Sequence, residues 1–367
     1  MQTRISHEHV DALAAGATLL GSGGGGDTAI VADMLRHVLI RHGAVSLITA
    51  ADLPPDALVV PVAATGSITV MLERLPSGHE FVHAVQAVGR HLDQQPAAVL
   101  GFEVGGANLL FSVAAAAWTG LPLIDGDGMG RAFPRIDQVL FNVVRDGTSA
   151  ISAVPAALAD PSGNHLLLTG AVTNADAERL LRAALTALGG WAATAIYPMR
   201  AEQADRHAIR GSISNALTLG RDFLEVQRTP RSRAGMLATH QANLVFSGTI
   251  NQILRHARPS TGATLVVAHD QDPFRTLRIE VADEYMLAID DGDVIAQVPD
   301  IIALLDTRTW QPITAEHAAT GRHVDVLRFP APSAWNPLHA RHLVAPSAFG
   351  LRVLDDNATS DARESRP

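Results

Sequence analysis

The sequence predicts an α/β protein: an N-terminal α/β domain followed by a second, β-rich α+β domain. Three observations carry this. Short apolar strands alternate with helical segments through the first half, strands separated by turns dominate the second half, and a run of glycines joins the first two helical segments. Residues 7–20 (HEHVDALAAGATLL) have helical periodicity and stop at the glycines, residues 21–26. After Asp27 a second helical segment puts Ile30, Met34, Leu35 and Val38 on one face. Strand candidates follow at 45–49 (VSLIT), 57–63 (ALVVPVA), 98–104 (AVLGFEV) and 121–125 (LPLID), with the helical stretch ANLLFSVAAAAW between the last two. This βαβ order implies a sheet that is at least partly parallel.

Beyond it come HLLLTGAV (165–172), a helix near 175–188, a strand near 193–198 and a helical stretch over 208–226. From there strands succeed one another, punctuated by Gly, Asp and Pro; DDGD (290–293) reads as a hairpin turn. The boundary is placed near residue 168. Residues 1–168 then form the α/β domain with the glycine-rich loop, 169–355 the β-rich domain, and 356–367 a polar, disordered tail.

Composition excludes much chemistry. The 367 residues contain no cysteine, which removes disulfides, thiolate catalysis and Cys-ligated metal sites. All 28 basic residues are arginine, so Schiff-base chemistry and a P-loop lysine are excluded as well. What remains is carboxylates, histidines, hydroxyls, backbone amides and a possible metal. The net charge of -9 and the lack of a basic stripe argue against a nucleic-acid partner. No apolar run reaches the roughly 18 residues of a membrane span, and the first residues lack signal-peptide features. A cytoplasmic, soluble homo-oligomer acting on a small molecule is the expectation.

Three segments stand out. In GSGGGGDT (21–28), Gly23, Gly24, Gly25 and Gly26 allow several N–H groups to converge on an anionic or polar ligand, with Asp27 either binding ligand or capping the next helix. A helix precedes the run where the dinucleotide fingerprint needs a strand. In FEVGGANL (102–109), Glu103 falls at the carboxyl end of a strand, where open α/β sheets place ligand groups; Gly105 and Gly106 permit close approach, and Asn108 caps a helix or binds ligand. In LIDGDGMGRAFPR (123–135), Asp125 and Asp127 form a carboxylate pair able to share a proton, raise one pKa or hold a hard cation, and Arg131 is suited to pairing with a carboxylate or fixing an anionic ligand. The alternatives are a mobile linker between two helices for the first segment, a capped helix with an exposed glutamate for the second, and a glycine-rich turn with solvated aspartates for the third. Histidine is frequent, at 16, but forms no HExxH, and Ser212 and Ser214 have no triad partner readable from sequence.

Taken in order, GSGGGGD, EVGGAN, DGDGMGRAFP, RGSISNALTLG, FSGTINQILR, PDIIALLD and PSAFG resemble the S-methyl thiohydantoin desulfurase-like family over residues 7–355, with its N- and C-terminal domains. Arg135 stands where the family usually has glutamate, Thr28 where proline is common, and ADEYMLA (282–288) departs from a usual Asn-Glu pair. The resemblance implies hydrolytic release of methanethiol from an S-methylated thiohydantoin, leaving a hydantoin. Asp125 or Asp127 would then be the base and Glu103 the acid, with the glycine loops, Asn108 and Arg131 around the substrate. A divalent metal is an alternative activator of the water, with oxygen or histidine ligands. Two other functions fit the same pattern: hydrolysis of a related hydantoin or imidazolone ring, and a non-catalytic subunit beside a hydantoinase.

Overall fold

Strands buried on both faces read as continuous apolar runs, and such runs form the parallel centre of the first sheet. A computed structural model describes residues 3–351 apart from 27, 146, 257–261 and 273; the expected tail, residues 356–367, lies outside them. The first five strands are β1 (Thr3–Ile5), β2 (Val45–Ile48), β3 (Leu58–Gly66), β4 (Pro96–Gly101) and β5 (Leu123–Asp127). They lie in the order β1-β2-β5-β4-β3, and the four from β2 to β3 are parallel. Antiparallel strands extend this sheet: β6 (Ala156–Ala159), β7 (His165–Leu168) and β8 (Trp191–Ala195), in the order β3-β8-β6-β7. Two short strands, β9 (Met199–Arg200) and β10 (Ile209–Arg210), pair with β3 and β5.

The sheet therefore continues past residue 168. Ala157 in β6 pairs with Ala195 in β8, so strands on either side of that point share hydrogen bonds. The changeover between sheets falls between Arg210 and Asn243.

Alternation along the central strands feeds two cores. Val60, Val62, Val99 and Leu123 point to one side, where α1 (Val10–Leu20), α2 (Thr28–His42), a short α3 (Ile68–Glu73), α4 (His79–His91) and α5 (Ala107–Thr119) pack. Val59, Ala98, Leu100 and Ile124 point to the other, against the 129–143 segment, α6 (Asn174–Ala187) and α7 (Ala201–His207). The long α8 (Ser212–Arg228) packs on α1. It leads through α9 (Arg233–Thr239) to the second sheet.

That second sheet is wholly antiparallel. Its strands are β11 (Asn243–His256), β12 (Gly262–His269), β13 (Thr276–Val281), β14 (Tyr285–Asp290), β15 (Asp293–Gln297), β16 (Ile301–Asp306), β17 (Pro312–Ile313) and β18 (His323–Phe329), in the order β15-β14-β13-β12-β11-β18-β16-β17. The DDGD segment is the expected hairpin, with Asp290 opposite Asp293. A last short helix, α10 (Leu338–Arg341), returns to the second core, through Ala340, of the first sheet. The two ends of the second sheet curl together until β14 touches β16. Ser22, from the glycine loop, occupies that seam: its N–H-accepting carbonyl binds Tyr285 N at 2.7 Å, and its hydroxyl lies 3.0 Å from both N and O of Ile302. The glycine loop thus fastens one sheet to the other.

Candidate active site

Three loops meet at the carboxyl ends of β3, β4 and β5, as the strand-end rule predicts. Gly106 N donates to Ala17 O (2.8 Å), Ala107 N to Gly25 O (2.8 Å), and Ala132 N to Leu20 O (3.2 Å), so the end of α1 with the glycine loop, the 102–109 segment and the 127–132 segment are tied by their own backbones. Gly106 shows why the residue type matters here. Its φ is +65°, and a Cβ would stand 2.1 Å from the Gly25 carbonyl oxygen. The glycine loop is therefore a close-packed junction and not a linker. Asp27 lies outside the described residues.

Above this junction opens a cleft of about 1200 Å³ between the two sheets. Gly23, Gly24, Gly25, Gly26, Glu103 and Asn108 line it from the first sheet's side, and Asp283 and Glu284 from the second. Asp125, Asp127 and Arg131 do not line it.

Glu103 is 7% exposed, and burial pushes its carboxyl up to about 8. Opposing that are Asn108, whose Nδ2 donates to Glu103 Oε1, the Phe133 N–H and the Arg131 charge, while the Asp127 charge adds to the shift. Asn108 does not cap α5, whose N-cap is Gly106. Its amide instead clasps Ala64 of β3, accepting from Ala64 N (2.7 Å) and donating to Ala64 O (3.2 Å). With both ends of its amide engaged, Asn108 orients Glu103.

Glu284 faces the same cleft from the turn before β14 and is 3% exposed. Burial pushes it, too, up to about 8; Arg131 opposes the shift, while Asp283 and Glu103 add to it. A Cβ on Gly24 would lie 2.8 Å from Glu284 Oε1, so the glycine loop packs directly against this carboxyl. Neither Glu103 Oε2 nor Glu284 Oε2 makes a well-aligned hydrogen bond among the described residues. Sequence reasoning missed Glu284. The one available signal was the departure from the family pattern at 282–288.

The expected pair of Asp125 and Asp127 is split. Register slips between β4 and β5, with Leu100 opposite Ile124 but Gly101 opposite Asp127, and this irregularity sends the two side chains apart. Asp125 goes to the start of α8: its Oδ1 accepts from Ile213 N (3.1 Å) and Ser214 N (3.0 Å), its Oδ2 from Ser214 Oγ (2.6 Å). That is a helix-capping role, and it also accounts for the GSISN motif. Asp127 is fully buried, and its Oδ2 accepts from Val104 N, Met129 N and Gly130 N at 2.6–3.1 Å. Burial raises it to about 6 even so. It knots the loop bearing Glu103 to the loop bearing Arg131.

Arg131 is completely buried beneath the cleft. Its Nε donates to Ala132 O (2.9 Å), Nη1 to Asp300 O (2.6 Å) and Nη2 to Tyr285 O (3.4 Å), while the guanidinium carbon sits 5.1 Å from the Phe133 ring centre. It spans the two sheets instead of reaching for a ligand. Among the described residues no group of three His, Asp or Glu side chains is disposed to hold a metal ion. Among the described residues no helix is long and apolar enough to cross a membrane.

A protein from Chromobacterium violaceum, known from its X-ray crystal structure, shares the fold with a TM-score of 0.77; it is 22% identical, and the match covers 96% of this chain and 100% of that one. Such identity speaks for the fold alone. No curated protein matches the chain. The models of the S-Me-THD-like N-terminal and C-terminal domains match residues 8–170 and 172–356 in turn. Both domains are present, in order and over nearly the whole length: the chain belongs to the S-Me-THD-like family.

Proposed function

We propose that the protein is a hydrolase that releases methanethiol from an S-methylated thiohydantoin and leaves a hydantoin. The observation that carries this reading is the pair of buried carboxyls, Glu103 and Glu284, facing one cleft in a chain with no thiol or amine nucleophile. The S-Me-THD-like family name supports a thiohydantoin ring as the substrate. The ring's C2 is an S-methylated amidine carbon. A neutral carboxyl protonates the ring nitrogen, which makes C2 more electrophilic. An ionised carboxylate takes a proton from water as the water oxygen bonds to C2. The carbon–sulfur bond then breaks as the new hydroxyl gives its proton to the carboxyl that protonated the nitrogen, the carbonyl forms, and the thiolate takes the proton held by the other carboxyl, so both groups return to their starting states. In net, one hydrogen of the water is added to nitrogen and the other to sulfur, with no redox change.

Two carboxyls pushed up to about 8 suit this work, because each holds a proton near neutral pH and ionisation of one favours retention of the proton on the other. Asp127 acts at one remove, by holding the Glu103 loop. The test is direct: purified protein is given an S-methyl thiohydantoin, with methanethiol and hydantoin followed by mass spectrometry. Stoichiometric release of both supports the reading. Ring opening without thiol release points to a hydantoin-type hydrolase, and no turnover of any ring to an accessory subunit.

A further inference from the structure

Trp191 opens β8 and lines the cleft, and the acid–base reading gives it no part. It is 2% exposed, and its indole Nε1 is buried without a hydrogen-bond acceptor among the described residues. A buried indole N–H ordinarily finds an acceptor, because leaving water unpaired is costly. The other two buried tryptophans follow that rule: Trp310 Nε1 donates to Asp325 Oδ2 (2.9 Å) and Trp335 Nε1 to Met129 O (2.8 Å). Two more cleft-lining residues carry a buried polar atom without a well-aligned bond, and they are Glu103 (Oε2) and Glu284 (Oε2). We infer that Trp191 is a substrate-binding residue: its indole N–H donates to the ring carbonyl at C4 while the two carboxyls work at C2.

The register of the first sheet brings Trp191 close to the clasp that holds Glu103. β8 runs antiparallel to β3, with Ala193 opposite Ala64 and Trp191 opposite Gly66. Ala64 is the residue that Asn108 grips through both N and O. At the usual strand rise Trp191 starts roughly 7 Å further along. Trp191 and Ala193 turn into the same core, the one that also receives α5, so the indole and Asn108 share one side of the sheet. The backbone at this point is fixed: Ser67 N donates to Gly190 O (2.9 Å), and a Cβ on Gly66 would stand 2.3 Å from that oxygen. The inference rests on the hydrolase reading for the identity of the ring, and the chemistry then selects the contact. An indole N–H can only donate. An S-methylated thiohydantoin has one oxygen, the carbonyl at C4, since its C2 carries sulfur. The N–H is shielded from bulk water, so a carbonyl that reaches it meets little competition from solvent. The hydantoin product keeps the same carbonyl and hence the same contact.

The test follows the indole itself, by NMR of the full chain labelled with 15N-tryptophan, with hydantoin and imidazolidin-2-one as probes. Both probes have a carbonyl at C2, and only hydantoin has one at C4. Hydantoin should move the Trp191 Nε1–H signal downfield, and imidazolidin-2-one should leave it in place. Trp191→Phe, which keeps an aromatic ring, assigns the signal. It should weaken hydantoin binding by about five- to tenfold and imidazolidin-2-one binding by less than about twofold. A tryptophan that merely packs would weaken both alike. If the phenylalanine variant does not fold, 13C-glycine labelling assigns the residue, since Trp191 is the one tryptophan that follows a glycine, and the two wild-type titrations decide. Hydantoin that fails to bind or leaves the Trp191 signal unmoved overturns the inference, as does imidazolidin-2-one that moves it equally. A wild type whose Trp191 signal answers hydantoin but which releases no methanethiol would overturn the hydrolase reading and leave this contact standing.

Discussion

The Ser22 hydroxyl sits 3.0 Å from both the amide nitrogen and the carbonyl oxygen of Ile302, 280 residues away. A side chain of the first sheet's glycine loop thereby replaces a missing strand partner in the second sheet. The cleft is built across this joint, so its two walls are held in register by a buried polar contact and not by apolar packing alone. Ser22→Ala removes the acceptor for Ile302 N at a site with no water access. The cost should be about 1–3 kcal/mol, read by urea denaturation. Turnover should fall with it even in protein that stays folded, because Glu284 hangs from the second sheet. Unchanged stability and turnover would show that the seam needs no such bridge.

Asp125 gives the opposite pairing of effects. Its carboxylate is engaged by two amides and a hydroxyl at the first turn of α8. Asp125→Ala should lower stability by about 1–2 kcal/mol while leaving the turnover of folded protein near wild type. A large loss of turnover at unaltered stability would return Asp125 to the reaction.

The legible parts of this protein are those set by local pattern. Apolar runs located the parallel strands, and the rule that ligand loops follow strand ends brought Glu103 to the cleft. The glycines at 23–26 announced close backbone approach, although the partner proved to be protein backbone as well as open cleft. Two things lay outside such patterns. The separation of Asp125 from Asp127 depends on a register slip in the β4/β5 ladder, which even spacing in sequence conceals. Glu284 reaches the cleft only because the second sheet docks on the glycine loop, a long-range event with no local mark. Arg131 reads as a ligand-binding arginine from its glycine-rich surroundings, yet its burial makes it a cross-sheet tie. The sheet's continuation to Arg210 was equally hidden, since β8 returns to pair beside β3 after a helix.

Glu103→Gln and Glu284→Gln should each keep the fold and lose about 10²–10⁴-fold in kcat for methanethiol release. Acid and base act in one step, so the double variant should fall little below the worse single one. Asn108→Asp, which replaces the donor to Glu103 by a second carboxyl, should shift the pH profile upward before it affects folding. Wild-type rates in both glutamine variants would remove the pair from the mechanism.

Stability against pH offers a check that needs no substrate. Glu103 and Glu284 rise from an ordinary 4.5 to about 8 in the folded protein, and Asp127 from 3.8 to about 6. Between those values the folded state holds protons that the unfolded chain has released, so unfolding releases protons and stability falls as pH rises. The contribution of the two glutamates is complete below about 4.5, declines through neutrality and is gone above about 8. Asp52, Asp176 and Asp306 work in the other sense: hydrogen bonds hold them below 3.8, and their contribution is lost only as pH falls beneath that value. The two windows therefore separate. Melting temperature should decline from mildly acid to mildly alkaline pH in the wild type, and less steeply in Glu103→Gln and in Glu284→Gln. Above pH about 8 each glutamine variant should be the more stable protein, since it buries an amide where the wild type must bury a charge. A wild-type melting temperature that climbs through this interval would mean that both carboxyls are ionised in the folded state, and the acid–base pair would be lost with it.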